Sequence, residues 1–157
     1  MDAVEKRLKE LGLELPPVPK AMAKYVPAKM AGDLVFTAGQ GPMRDGKPLY
    51  VGKVGADLTE QQGYDCARLC ALNCLAAVKG LIGSLDRIEE VVQVRGFVNC
   101  GAGFDRHPEV VNGASDLLVE LFGEQGRHAR SAVGTCSLPR NIAVELEMVV
   151  RVRAGRP

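Results

Sequence analysis

From Ile142 to Arg153 apolar and polar side chains alternate along one unbroken stretch, and no other feature of the chain limits its fold as much. Ile142, Val144, Leu146, Met148, Val150 and Val152 fall on one side of an extended backbone, while Glu145, Glu147, Arg151 and Arg153 fall on the other. Such a strand belongs to a sheet with one dry face, and an antiparallel sheet leaves its second face free to be polar. Val91–Cys100 reads the same way, with Val92, Val94, Val98 and Cys100 opposite Gln93, Arg95 and Asn99. The charged side also carries Val91, Phe97 and Val149, so it is either an oligomer interface with polar groups trapped in it or a solvated face.

Two helical stretches supply the cover. One starts at Thr59 and runs to about Ile82; Thr59 and Gln62 have capping-box spacing, and Gly83-Ser84 closes it. The other is Pro108–Phe122, stopped by Gly123 and Gly126. Asp33–Gly39 and Arg130–Cys136 are further strands, and Leu49–Val51 is a short candidate. Residues 2–12 form a short amphipathic helix around Val4, Leu8 and Leu11, followed by a proline-rich extended lead-in through Pro16, Pro17, Pro19 and Pro27. The chain of 157 residues shows no repeat or linker and reads as one α+β domain, with two helices on one face of one sheet.

Composition narrows the function classes. A net charge of +1 lacks the broad basic field of a nucleic-acid binder, and 4% aromatic residues leave few stacking platforms for single strands. No signal-peptide pattern and no run long enough to span a bilayer is present, so a cytoplasmic protein is expected. Five cysteines, three of them four residues apart at Cys66, Cys70 and Cys74, fit reduced thiols along one helix face; they are read as small core residues rather than metal ligands.

Gly41 to Lys47 imitates a phosphate loop, but Pro48 offers no hydroxyl for a metal ion, so the segment is read as a turn at Asp45-Gly46. His107 stands at the start of the second helix, where a turn or cap role fits; His128 stands two residues before Arg130. If Arg130–Cys136 and Ile142–Arg153 pair as a hairpin, Arg130 comes close to Glu145 or Glu147. The guanidinium would then hold a carboxylate by two parallel hydrogen bonds while the Glu handles a water, or the two would form a structural ion pair.

The pattern R-S-x-V-x-x-x-x-L-P-x-x-x-x-V-E-x-E from Arg130 to Glu147 resembles the RidA (YjgF, L-PSP endoribonuclease-like) family. Tyr25-Val26, Phe36-Thr-Ala-Gly-Gln40-Gly-Pro42 and Val111-Asn112 agree in order, so the resemblance covers residues 20–153 and leaves the N-terminal helix outside. It implies a chorismate-mutase-like fold, a homotrimer with clefts between subunits, and no cofactor. It also implies hydrolysis of reactive enamines and imines (2-imino acids) to 2-ketoacids and ammonia. By position, Arg130 would clamp the substrate carboxylate, Glu147 would position or activate water, Tyr25, Gly39 and Asn112 would line the cleft, and Glu145 would be structural. The chain departs from the family at Ala38, where Ser is frequent, at Ala132, where Cys is frequent, and at His128, where Pro is frequent. A carboxylate-binding or regulatory trimer without turnover is the alternative expectation; ribonuclease activity is the weakest.

Overall fold

The computed structural model describes residues 2–20 and 23–155. In chain order the elements are α1 (Ala3–Glu10), β1 (Ala28–Ala31), β2 (Leu34–Thr37), β3 (Met43–Arg44), β4 (Lys47–Pro48), α2 (Glu60–Ile82), β5 (Ile88–Asn99), α3 (His107–Phe122), β6 (Ala129–Thr135) and β7 (Val144–Val152). Five strands form one sheet in the order β1-β2-β7-β5-β6. Every neighbouring pair is antiparallel except β5 and β6, which run parallel. The long helices α2 and α3 cover one face, as the alternation in β7 requires. Val144, Leu146, Met148, Val150 and Val152 are buried beneath them, with Val94 and Val98 of β5.

Thr59 accepts from the Gln62 amide and Gln62 answers at the Thr59 amide, so the predicted capping box closes α2 at its start. Gly83 ends it at φ +86, a conformation that costs a residue with a Cβ. Cys66, Cys70 and Cys74 are buried on the sheet side of α2, where the Cys70 and Cys74 thiols lie 3.3 Å from the Val144 and Leu146 carbonyl oxygens. Burial pushes the Cys74 thiol up to about 12, so it stays protonated. The two helices cross closely at Gly113: a Cβ there would stand 2.0 Å from the Tyr64 carbonyl oxygen. The N-terminal helix α1 is pinned to the end of α2, because Asp2 accepts from Ser84 and Leu85 while Asp86 accepts from the Ala3 and Val4 amides.

Two expectations change, and one strand is added. Val91 does not face the charged side: a bulge between Val91 and Gln93 lets both Val91 and Val94 point into the core. The short strand expected at Leu49–Val51 is instead the β3–β4 hairpin, turned by Asp45 (φ 51) and Gly46 (φ 77) as a two-residue loop; Val51 makes only an isolated bridge to Ile142. The strand β1, Ala28–Ala31, follows the proline-rich lead-in, in a stretch for which no element was expected. Among the described residues no helix is long and apolar enough to cross a membrane.

Candidate functional site

Arg130 sits on the edge strand β6. The parallel register sets it beside Val94, whose side chain points to the helices, so the Arg130 side chain also turns toward α3. Its Nη1 donates to Asn112 Oδ1 at 2.7 Å and to Ser115 Oγ at 3.1 Å. These two acceptors are three residues apart on one helix, hence on one face. Ser115 Oγ lies 2.9 Å from His128 Nε2, and His128 Nδ1 lies 2.7 Å from the Gly126 carbonyl oxygen. A carbonyl can only accept, so Nδ1 carries the proton and neutral Nε2 accepts from the Ser115 hydroxyl. Burial holds His128 below its ordinary pKa, and the charge of Arg130 acts in the same direction. Among the described residues no carboxylate lies within ion-pair distance of Arg130, and its Nε and Nη2 meet no acceptor. A half-buried guanidinium thus has its position fixed by neutral groups while one edge of its fork stays open.

The second group of residues is on the uncovered face. Gly39 follows β2, and a Cβ built there would stand 3.0 Å from Glu145 Cδ, so the missing side chain makes room for that carboxyl. Glu145 is half-buried and makes no hydrogen bond among the described residues. Burial raises its pKa above the usual carboxylate range, and the nearby charge of Glu147 adds to the rise. Glu147 is spoken for: its Oε1 lies 3.3 Å from Arg95 Nη1, directly across the β5–β7 ladder. Phe36, Arg95, Glu147 and Val149 line a shallow cavity of about 110 Å³ beside it.

The hairpin expected of β6 and β7 does not form, because β5 lies between them. The connection passes over the end of β5 and is held there by Asn99, whose amide group donates to Asn141 Oδ1 at 3.0 Å and to the Ile142 carbonyl at 3.1 Å. Lys53 Nζ donates to Asn99 Oδ1 at 2.9 Å from the other side. Arg140 and Asn141 take positive φ values of 56 and 58 to make this turn. Arg130 therefore shares neither a ladder nor a face with Glu145 and Glu147. Tyr25, exposed just before β1, belongs to the edge of the sheet opposite Arg130. Four strand spacings, about 19 Å, separate those edges. Of the residues singled out from the sequence, the fold joins Arg130 with Asn112 and brings Gly39 to Glu145. It brings neither pair to the other.

Ser115 was not singled out from the sequence, although its place three residues after Asn112 puts both on one helix face; His128 and Arg95 were noted, but without these partners. Another pair came from distant segments. Cys100 Sγ lies 3.4 Å from His107 Nε2, packed against Gly134 on the same side of β6 as Arg130 and Ala132. Cys100 follows the end of β5, and Gly134 stands two residues past Ala132 on β6.

A mixed sheet with two helices on one face is the architecture of a chorismate-mutase-like fold. The chain belongs to the YjgF/RidA family: the family model described as "YjgF/chorismate_mutase-like, putative endoribonuclease" matches residues 5–150. Protein TCP17 of Trypanosoma cruzi is 39% identical over 150 residues, covering 95% of this chain and 94% of that one. A crystal structure of Atu1372 from Agrobacterium tumefaciens, a protein of unknown function, is 44% identical with a TM-score of 0.90, covering 96% of this chain and 92% of that one. A structure described as a "putative endoribonuclease" from Shewanella oneidensis is 38% identical with a TM-score of 0.92, covering 96% and 100%.

Proposed function

We propose that this protein hydrolyses reactive enamines and imines, of the 2-imino acid class, to 2-ketoacids and ammonia in clefts between the subunits of a homotrimer. The observation that carries this reading is the Arg130 guanidinium, which is oriented by Asn112 and Ser115, lacks a carboxylate partner among the described residues and keeps an open edge. That edge fits a substrate carboxylate by two parallel hydrogen bonds. The opposite placement of Arg130 and Glu145 supports a site completed by a second copy: the Arg130 edge of one subunit meets the Gly39 and Glu145 face of the next, with Tyr25 at its rim.

The chemistry needs little beyond orientation and a proton path. Arg130 binds the carboxylate, and the enamine tautomerises to the imine. Water adds to the imine carbon, giving a carbinolamine, which expels ammonia and leaves the ketone. Of the two glutamates, Glu145 is the better base for that water. Its carboxyl makes no hydrogen bond among the described residues, and burial raises its pKa, which strengthens it as a proton acceptor. Glu147, paired with Arg95, is given a supporting part in this reading, beside the water-handling role that the family resemblance implies for it.

The test is a coupled assay. An amino-acid oxidase generates a 2-imino acid in the presence of semicarbazide, and semicarbazone formation is followed. The wild type is expected to suppress the semicarbazone; Arg130→Ala is expected to lose about 100-fold of that activity, the scale of a lost charge-assisted contact together with lost orientation. No suppression by the wild type across several amino acids would leave the alternative, a trimer that binds carboxylates without turning them over.

A further inference from the structure

Arg130, Ser115, His128 and the Gly126 carbonyl form a chain of hydrogen bonds in which each group fixes the next. Gly126 O accepts from Nδ1, which leaves Nε2 unprotonated. Nε2 accepts the Ser115 hydroxyl hydrogen, which turns the lone pairs of Oγ toward Arg130. The chain ends on a guanidinium that has no other support but Asn112 among the described residues. His128 stands on the same strand approach as Arg130, two residues before it, so its ring is placed by the backbone that places the clamp.

We propose that Ser115 and His128 are positioning residues for Arg130, and that protonation of His128 releases the clamp. This rests on the reading of Arg130 as the holder of a substrate carboxylate. A second proton on Nε2 turns the acceptor into a donor. Ser115 Oγ then faces two donors, its own hydrogen loses its acceptor, and two cations are left separated by a single hydroxyl. The guanidinium is driven away from the position that Asn112 and Ser115 define. On the elements packed around it, Asp116 accepts from Tyr64, Glu120 pairs with Arg68, and Glu124 with Arg127; among the described residues Arg130 is the charged group felt by the His128 ring. Burial and the charge of Arg130 keep His128 neutral at ordinary pH, which holds the clamp in its working state.

The experiment is an NMR pH titration of the full-length protein, following the His128 ring nitrogens and the Arg130 guanidinium signals. In the wild type His128 is expected as the Nδ1–H tautomer, titrating below its ordinary value of 6.5. The Arg130 signals are expected to shift with the same midpoint. In Ser115→Ala the two titrations separate, and in His128→Gln the Arg130 signals no longer follow pH in that range. Arg130 signals that ignore the His128 titration in the wild type, or follow it unchanged in Ser115→Ala, overturn the proposal. Binding of pyruvate supplies the second arm: affinity is expected to fall about tenfold or more through the His128 midpoint in the wild type, the scale of an added like charge at short range, and to stay level in His128→Gln. If the coupled titration holds but pyruvate binds Arg130→Ala as well as the wild type at pH 8, the positioning chain stands and the carboxylate role of Arg130 falls.

Discussion

The two faces of the sheet are built from the same strands and do opposite work. Under α2 and α3 the side chains are apolar, buried and mutually packed; Leu146, Met148 and Val94 have neighbours on every side. On the uncovered face Phe36, Arg95, Glu145 and Glu147 alternate with them residue by residue, yet they are exposed or half-buried, and all but Phe36 carry charge. A period of two thus lets one strand serve as core and as candidate site, with function free to vary on one face while stability is kept on the other. Arg130 is the exception that shows the rule: it points to the helix side, and it does so at the edge strand, where the cover is incomplete.

The sharpest contrast comes from one substitution on each face. Leu117→Ala, at a fully buried position of α3, is expected to cost about 2–5 kcal/mol in chemical denaturation. Glu145→Gln is expected to abolish most imine hydrolysis without that loss. Its carboxyl has a raised pKa in the fold, so ionisation disfavours the native state as pH rises through and above the ordinary value of 4.5. The neutral amide avoids this, and the variant should melt at or above the wild-type temperature at pH 7, with the difference gone below pH 4.5. A large fall in melting temperature for Glu145→Gln would break the division of labour between the faces.

Smaller effects sharpen it. Gly113→Ala puts a methyl group against the Tyr64 carbonyl and should cost about 1–3 kcal/mol by forcing α2 and α3 apart. Arg95→Ala removes an exposed ion pair with Glu147 and should change stability by less than about 1 kcal/mol, measured by thermal melting at low and high salt.

The covered face was legible because it repeats. Val144 to Val152 and the Thr59–Gln62 cap announce themselves locally, and so does the Asp45-Gly46 turn. What escaped was set by long-range placement. A short connection between β6 and β7 suggests a hairpin, and only the buried Asn99, which holds that connection across the end of β5, shows why they are kept apart. The bulge at Val91 reverses a side chain without any change in residue type. Glu145 and Glu147 have the same spacing and chemistry on paper. Arg95 pairs with Glu147, while Gly39 makes room for Glu145, which has no hydrogen-bond partner among the described residues.

A site shared between copies is tested most directly by mixing subunits. Arg130→Ala and Glu145→Gln would each be purified inactive, then unfolded, mixed in equal amounts and reassembled with distinguishable tags. If adjacent subunits supply the clamp and the base, random assembly restores intact clefts at about a quarter of the interfaces, and imine hydrolysis returns to about that fraction of the wild type. Mixed oligomers that form and remain inactive would contradict a site built from Arg130 of one copy and Glu145 of the next.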